Sequence, residues 1–306
     1  MKEEPEESSP PAERPALSAP GVLIHPALRV LLFLAVGFLL LLVVNSVAPG
    51  AAAGMPRETR SPLWYVLATS GLLLESWLFL RAFHGRSYRA LGIWFYPGWG
   101  RELAAGAAIG AGLLIAVVAA LAATRAVIYR GPTEDAHALP RLLLLGGWML
   151  LAAVFEEILF RGYLFQRLVD GAGPVVAVAI FSMLFAAAHL ANPSTTALSC
   201  VNTFLSGVLL STAYLKTRAL WLPIGLHWAW NFTMGPLFSL PVSGLNLQPT
   251  PLHVDFAGSK WLSGGAYGPE GGVALSVACV FATLWLGRTR RVSPSPGDGR
   301  SSRIGA

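Results

Sequence analysis

Charge is scarce in this chain of 306 residues. Only 12% are Asp, Glu, Lys or Arg, against 54% hydrophobic, and mean hydropathy is +0.58. Soluble globular domains carry about 25% charged residues, so an ordinary soluble enzyme is excluded. Extended disorder is excluded too, because it requires low hydrophobicity with high net charge. Cysteine is almost absent. Cys200 and Cys279 stand in separate apolar stretches and no CxxC occurs, so neither a disulfide framework nor a thiolate metal site is indicated. Both read as small core residues. The chain also lacks internal repeats and the inverted symmetry of many transporters. Its formal charge is +6, but Lys and Arg do not gather into a stripe, which argues against a nucleic-acid partner.

What is present is a series of long apolar runs with basic residues between them, the pattern of a polytopic membrane protein. A helix crosses a bilayer core about 30 Å thick with about 20 residues. On that measure the spans fall at 27–48, 62–83, 103–123, 142–166, 174–190, 196–215, 219–238 and 272–287. The expected fold is therefore all-α, a membrane bundle of about eight transmembrane helices over 27–287. Residues 1–26, rich in Pro, Glu, Ser and Ala, read as a disordered tail, and 288–306 as a basic one. Ala51-Ala52-Ala53 resembles a signal-peptide cleavage site, but the acidic leader and the long first run read as a retained helix. Gly106 and Gly110 form a GxxxG suited to close helix packing. With the N-terminus inside, the cytoplasmic segments hold 16 Lys and Arg and the external ones 6, so both termini are expected in the cytoplasm.

Ionisable residues within such spans are costly and mark function by default. Three groups stand out: Glu156-Glu157-Ile158-Leu159-Phe160-Arg161, Phe185-Ala186-Ala187-Ala188-His189, and His227-Trp228-Ala229-Trp230-Asn231. At helical spacing Glu157 and Arg161 are neighbours and pair, while Glu156 points about 100° away and is left for chemistry. His227 and Asn231 share a face. Counted at about 1.5 Å per residue, Glu156, His189, His227 and Asn231 all lie roughly 14–22 Å from the inner rim. Glu156 is a fitting general base, His189 can share its water or protonate a leaving group, and His227 and Asn231 can donate to an oxyanion. Glu75 in the second span is read as reaching toward the inner interface.

EEILFRG, FAAAH and HWAWN resemble the EExxxR, FxxxH and HxxxN motifs of the CPBP intramembrane protease family, which includes the type II CAAX prenyl endopeptidase and the bacteriocin-processing Abi proteins. FLSGVLLSTAYLKTRALWLPIGLHWAWN is similar to the family's run into its third motif, and the likeness covers roughly 140–235. It implies an eight-helix bundle that hydrolyses a peptide or protein substrate, CAAX-type or a precursor, in a cavity facing the cytosol. It implies water activation by Glu156 and His189, transition-state stabilisation by His227 and Asn231, and support from Glu157 and Arg161. The family is often called a metalloprotease. HExxH is absent, yet Glu156, His189 and His227 could supply three zinc ligands, and a metal-free mechanism suits the sequence equally. A serine mechanism lacks its GxSG at Leu205-Ser206-Gly207, and an aspartyl one lacks any Asp in a span. The competing functions are a proton-coupled transporter using the same residues and a catalytically inactive scaffold. The excess of Arg over Lys, 19 to 3, with abundant Ala, Gly and Pro, suggests a GC-rich genome and thus a bacterial inner membrane.

Overall fold

The structure, a computed structural model, describes residues 25–51, 53, 57–133, 138–247 and 251–289. Nearly all of the two expected tails lies outside the described residues. The helices are α1 (Pro26–Ala51), α2 (Arg57–His84), α3 (Trp99–Ala123), α4 (Ala138–Arg161), α5 (Tyr163–Ala172), α6 (Pro174–Ala188), α7 (Ala197–Thr217), α8 (Trp221–Phe232), the single turn α9 (Lys260–Ser263) and α10 (Val273–Arg288). The protein is an all-α membrane bundle, as its apolar periodicity predicts. Among the described residues, five stretches are long and apolar enough to cross a membrane: Pro26–Ala51, Ser61–His84, Trp99–Ala123, Leu139–Ala172 and Ala197–Thr217. Three expected spans correspond to shorter helices: α6 with 15 residues, α8 with 12 and α10 with 16. At 1.5 Å per residue each falls short of a core about 30 Å thick, so the count of eight full crossings is not carried by length. α8 gains one π-helical turn at Thr233–Leu237.

Two features depart from the sequence expectation. The run 142–166 is not one helix, because α4 ends at Arg161 and α5 begins at Tyr163. Gly162 makes the break at ψ −134°, and a side chain there would strike the Ile158 carbonyl. Second, the connectors carry a two-stranded antiparallel sheet, β1 (Val127–Pro132) with β2 (Leu252–Phe256). The register pairs Val127 with Phe256 and Pro132 with Leu252, with a bulge between Tyr129 and Gly131. Val-Ile-Tyr favours strand by shape, and Leu-His-Val-Asp-Phe alternates apolar and polar, which is the strand period.

Hydrogen bonds between connectors sort the helix ends into two sets. At one end, Leu220 N–H donates to Gly92 O at 2.7 Å, Gln166 Nε2 to Leu91 O at 3.0 Å, and His84 meets the Tyr163 hydroxyl at 3.1 Å. Phe95, Trp99 and Trp221 cluster there with ring centroids 4.8–5.3 Å apart, as interfacial aromatic belts do. At the other end Ala257 N–H donates to Ala126 O at 3.0 Å and Asn192 Nδ2 to Ser243 O at 3.0 Å. Large side chains of α1, including Leu31, Phe38, Leu39 and Val43, are 59–63% exposed, a surface that suits lipid and not water.

The expected glycine contact forms between α3 and α8. A side chain on Gly106 would strike the Leu222 carbonyl, one on Gly110 the Leu226 carbonyl, and one on Gly225 of α8 the Leu103 carbonyl. The two backbones therefore touch, which fixes the axis of the helix carrying His227 and Asn231. Gly110→Leu is expected to lower the unfolding temperature in detergent through about 1–3 kcal/mol of overpacking. Gly112→Leu, which meets nothing within 4 Å, serves as the neutral control.

Candidate functional site

A cavity of about 320 Å³ opens among α2, α4, α6, α7, α8 and α10, with Val242, Ser243, Leu245, Leu247 and Glu270 completing its wall. Glu156, His189, His227 and Asn231 all line it. Three of the four stand on helices as the spacing predicts. His189 does not. It caps α6, which ends at Ala188. Its Nδ1 donates to the Phe185 carbonyl at 2.8 Å, one turn back. A carbonyl only accepts, so this bond puts the proton on Nδ1 and leaves the Nε2 lone pair available.

Glu157 and Arg161 form the expected i,i+4 pair at 3.1 Å, both side chains fully enclosed. Arg161 also donates to Gly207 O at 3.1 Å and faces the Phe185 ring at 4.8 Å. Phe185 therefore packs between Arg161 and both histidines, whose ring centroids lie 4.7 and 6.1 Å from its own. The same Glu157 oxygen that binds Arg161 accepts from His227 Nδ1 at 2.9 Å. This is more than the local spacing indicates: Glu157 neutralises Arg161 and also sets the orientation of His227.

Glu156 points away from that pair, and its Oε2 has no hydrogen-bond donor. The nearest basic group is His227 Nε2, 3.8 Å away. Two polar atoms at this separation can share one oxygen at about 2.8 Å from each. Among the described residues no group of three or more His, Cys, Asp or Glu side chains is arranged to hold a metal ion. Glu156, His189 and His227 line one cavity without converging as a ligand set, so no step is derived through zinc.

Sequence reasoning missed several lining residues. Tyr65 and Trp148 come from α2 and α4, and Phe155 stands 5.8 Å from the Tyr65 ring. Glu270 lies in a Gly-Pro-rich connector without periodicity, and only the fold brings it to the cavity. There it accepts from Trp230 Nε1 at 3.1 Å and from the Ser243 N–H and hydroxyl at 2.6 and 2.8 Å. Asn202 Nδ2 binds the Glu270 and Gly272 carbonyls at 2.8 and 2.9 Å, tying this connector to α7. Tyr267 beside it has its phenol held above the ordinary range, by burial first and then by the charge of Glu270. Glu75 does not reach the interface as expected. It is 3% exposed, against Gly37 of α1, and no hydrogen-bond donor meets it.

Fold and cavity together define a class: an integral membrane protein whose helices gather carboxylates, imidazoles and an amide into a partly open, mostly apolar chamber. Within the chain, residues 138–233 match the family model described as Rce1-like, type II CAAX prenyl endopeptidase Rce1-like. The match begins at α4, ends one residue beyond α8, and contains all three motifs. It bears out the family resemblance over that segment, and the family is one of peptidases. No curated protein and no solved structure matches the chain.

Proposed function

We propose that this protein is an intramembrane endopeptidase that hydrolyses a peptide bond with a water activated by Glu156 and His189. The observation that carries the reading is the pair Glu156 Oε2 and His227 Nε2, 3.8 Å apart in the cavity, with Glu157 holding the other face of His227. Glu156 takes a proton from the water as its oxygen bonds to the scissile carbonyl carbon. His189 Nε2 accepts the water's other hydrogen bond and holds it in line. His227, with Nδ1–H donated to Glu157, carries a second proton on Nε2 against that carboxylate and offers it, with Asn231, to the oxyanion. As the C–N bond breaks, the proton on Glu156 passes to the leaving amine. The products are a carboxylic acid and an amine, and Glu156 returns to its starting state.

The substrate is a peptide or membrane-protein segment, CAAX-type or a precursor, and the setting a bacterial inner membrane. Both termini lie in the cytoplasm. In support, the starts of α1 and α3 and the ends of α2, α7 and α10 carry Arg29, Arg101, Arg81, Lys216 and Arg288 at one end of the bundle. Reporter fusions at the C-terminus and within 239–247 read the orientation, and an external C-terminus overturns it. The function itself is tested by incubating the purified protein in detergent with an apolar peptide and following cleavage by mass. Absence of cleavage across a panel of such peptides overturns the reading.

A further inference from the structure

The cavity contains no lysine or arginine among its described lining residues, but it contains two carboxylates, Glu156 and Glu270. The one nearby arginine, Arg161, is fully enclosed and bound to Glu157 and Gly207, so a substrate cannot reach it. Among the described lining residues, His189 and His227 are the only groups that can carry positive charge. The charge of His227 faces Glu157 at 2.9 Å.

Glu270 is not a loosely placed surface acid. Three donors fix it, two from Ser243 on Oε2 and one from Trp230 on Oε1. Two carboxylate oxygens offer about four acceptor positions, so one remains, on Oε1. Trp230 stands three residues from His227 and next to Asn231, on the helix that carries the proposed oxyanion donors. The fixed charge is therefore on the same wall as the reacting groups. Much of the rest of the wall is apolar, chiefly leucine, phenylalanine and tryptophan, with a few uncharged polar side chains such as Asn192, Thr203 and Ser206.

We infer that Glu270 makes this cavity selective for apolar peptide segments that carry a cationic side chain, Lys or Arg, near the bond to be cut. The inference rests on the endopeptidase reading for its cleavage readout. The physical reason is that like charges brought together in a desolvated site cost several kcal/mol, whereas a cation regains in the cavity what it loses on leaving water.

The test uses one apolar peptide in three forms, with Lys, Gln or Glu at one position beside the cleavage site. Cleavage by the full-length protein at pH 8 is expected to favour Lys over Glu by at least about tenfold in kcat/KM, chiefly through KM. Glu270→Gln keeps the size of the side chain and is expected to flatten the preference. Ser243→Ala loses one bond but keeps the charge, so it should retain the preference. Binding is read separately in Glu156→Gln by fluorescence of Trp148 and Trp230, which line the cavity. Cleavage of all peptides without charge preference in the wild type overturns this inference and leaves the endopeptidase reading intact. Charge-selective binding without any cleavage by the wild type overturns the endopeptidase reading and leaves the cation selectivity. Preference retained in a folded Glu270→Gln protein removes Glu270 as its source and overturns the assignment.

Discussion

Glu156→Gln is expected to lower single-turnover peptide cleavage by about 10²–10⁴ while membrane accumulation and unfolding temperature stay at wild-type values. The substitution preserves shape and removes the base. It breaks no hydrogen bond to the reactive oxygen, because Oε2 has no donor in the resting structure, so loss of rate cannot be assigned to lost packing. His189→Ala should lose rate on a similar scale, since it withdraws the acceptor that aligns the same water. Asn231→Ala removes one of two oxyanion donors while His227 remains, and a loss of about 10²–10³ is the scale for one such donor. A chelator run beside these variants should leave the wild type unchanged. Wild-type cleavage by Glu156→Gln overturns the mechanism. Loss with chelator, restored by zinc, would recast Glu156, His189 and His227 as ligands.

The residues of this site were legible in sequence to the extent that a helix turns spacing into geometry. Glu157–Arg161 and His227–Asn231 follow from a period of 3.6 residues, and the GxxxG on α3 follows from the need of two backbones to touch. His189 was placed in the right cavity by its distance along the chain. Its position at a helix end was not legible, because the apolar run continues to Leu190 and carries no stop signal. The break at Gly162 was hidden in the same way, inside an unbroken apolar run whose one glycine reads as tolerated. Glu270 and the β1–β2 pairing were lost for a different reason. Their neighbours are 27 to more than 120 residues away in sequence, and no local period encodes such contacts. The contact of His227 with Glu157, 70 residues apart, was beyond reach likewise, and it changes what the first motif does.

That contact makes the Glu157–Arg161 pair the site of the second large effect, and it separates stability from chemistry. Glu157→Gln leaves the guanidinium of Arg161, fully enclosed, without its counter-charge; removing one partner of a buried pair costs about 3–5 kcal/mol. Arg161→Met should cost less, because Glu157 retains His227 at 2.9 Å and that imidazole can take up the positive charge. The double variant, Glu157→Gln with Arg161→Met, removes both charges and should recover much of the stability lost by Glu157→Gln alone, since the two residues share one interaction. Cleavage should not recover with it. His227 would meet an amide in place of a carboxylate, and the imidazolium that stabilises the oxyanion would lack its counter-charge. The measurements are thermal unfolding in detergent and single-turnover cleavage on the same preparations. A double variant that regains both stability and rate would reduce Glu157 to a charge partner of Arg161. One that regains stability alone identifies Glu157 as the residue that prepares His227 for the transition state.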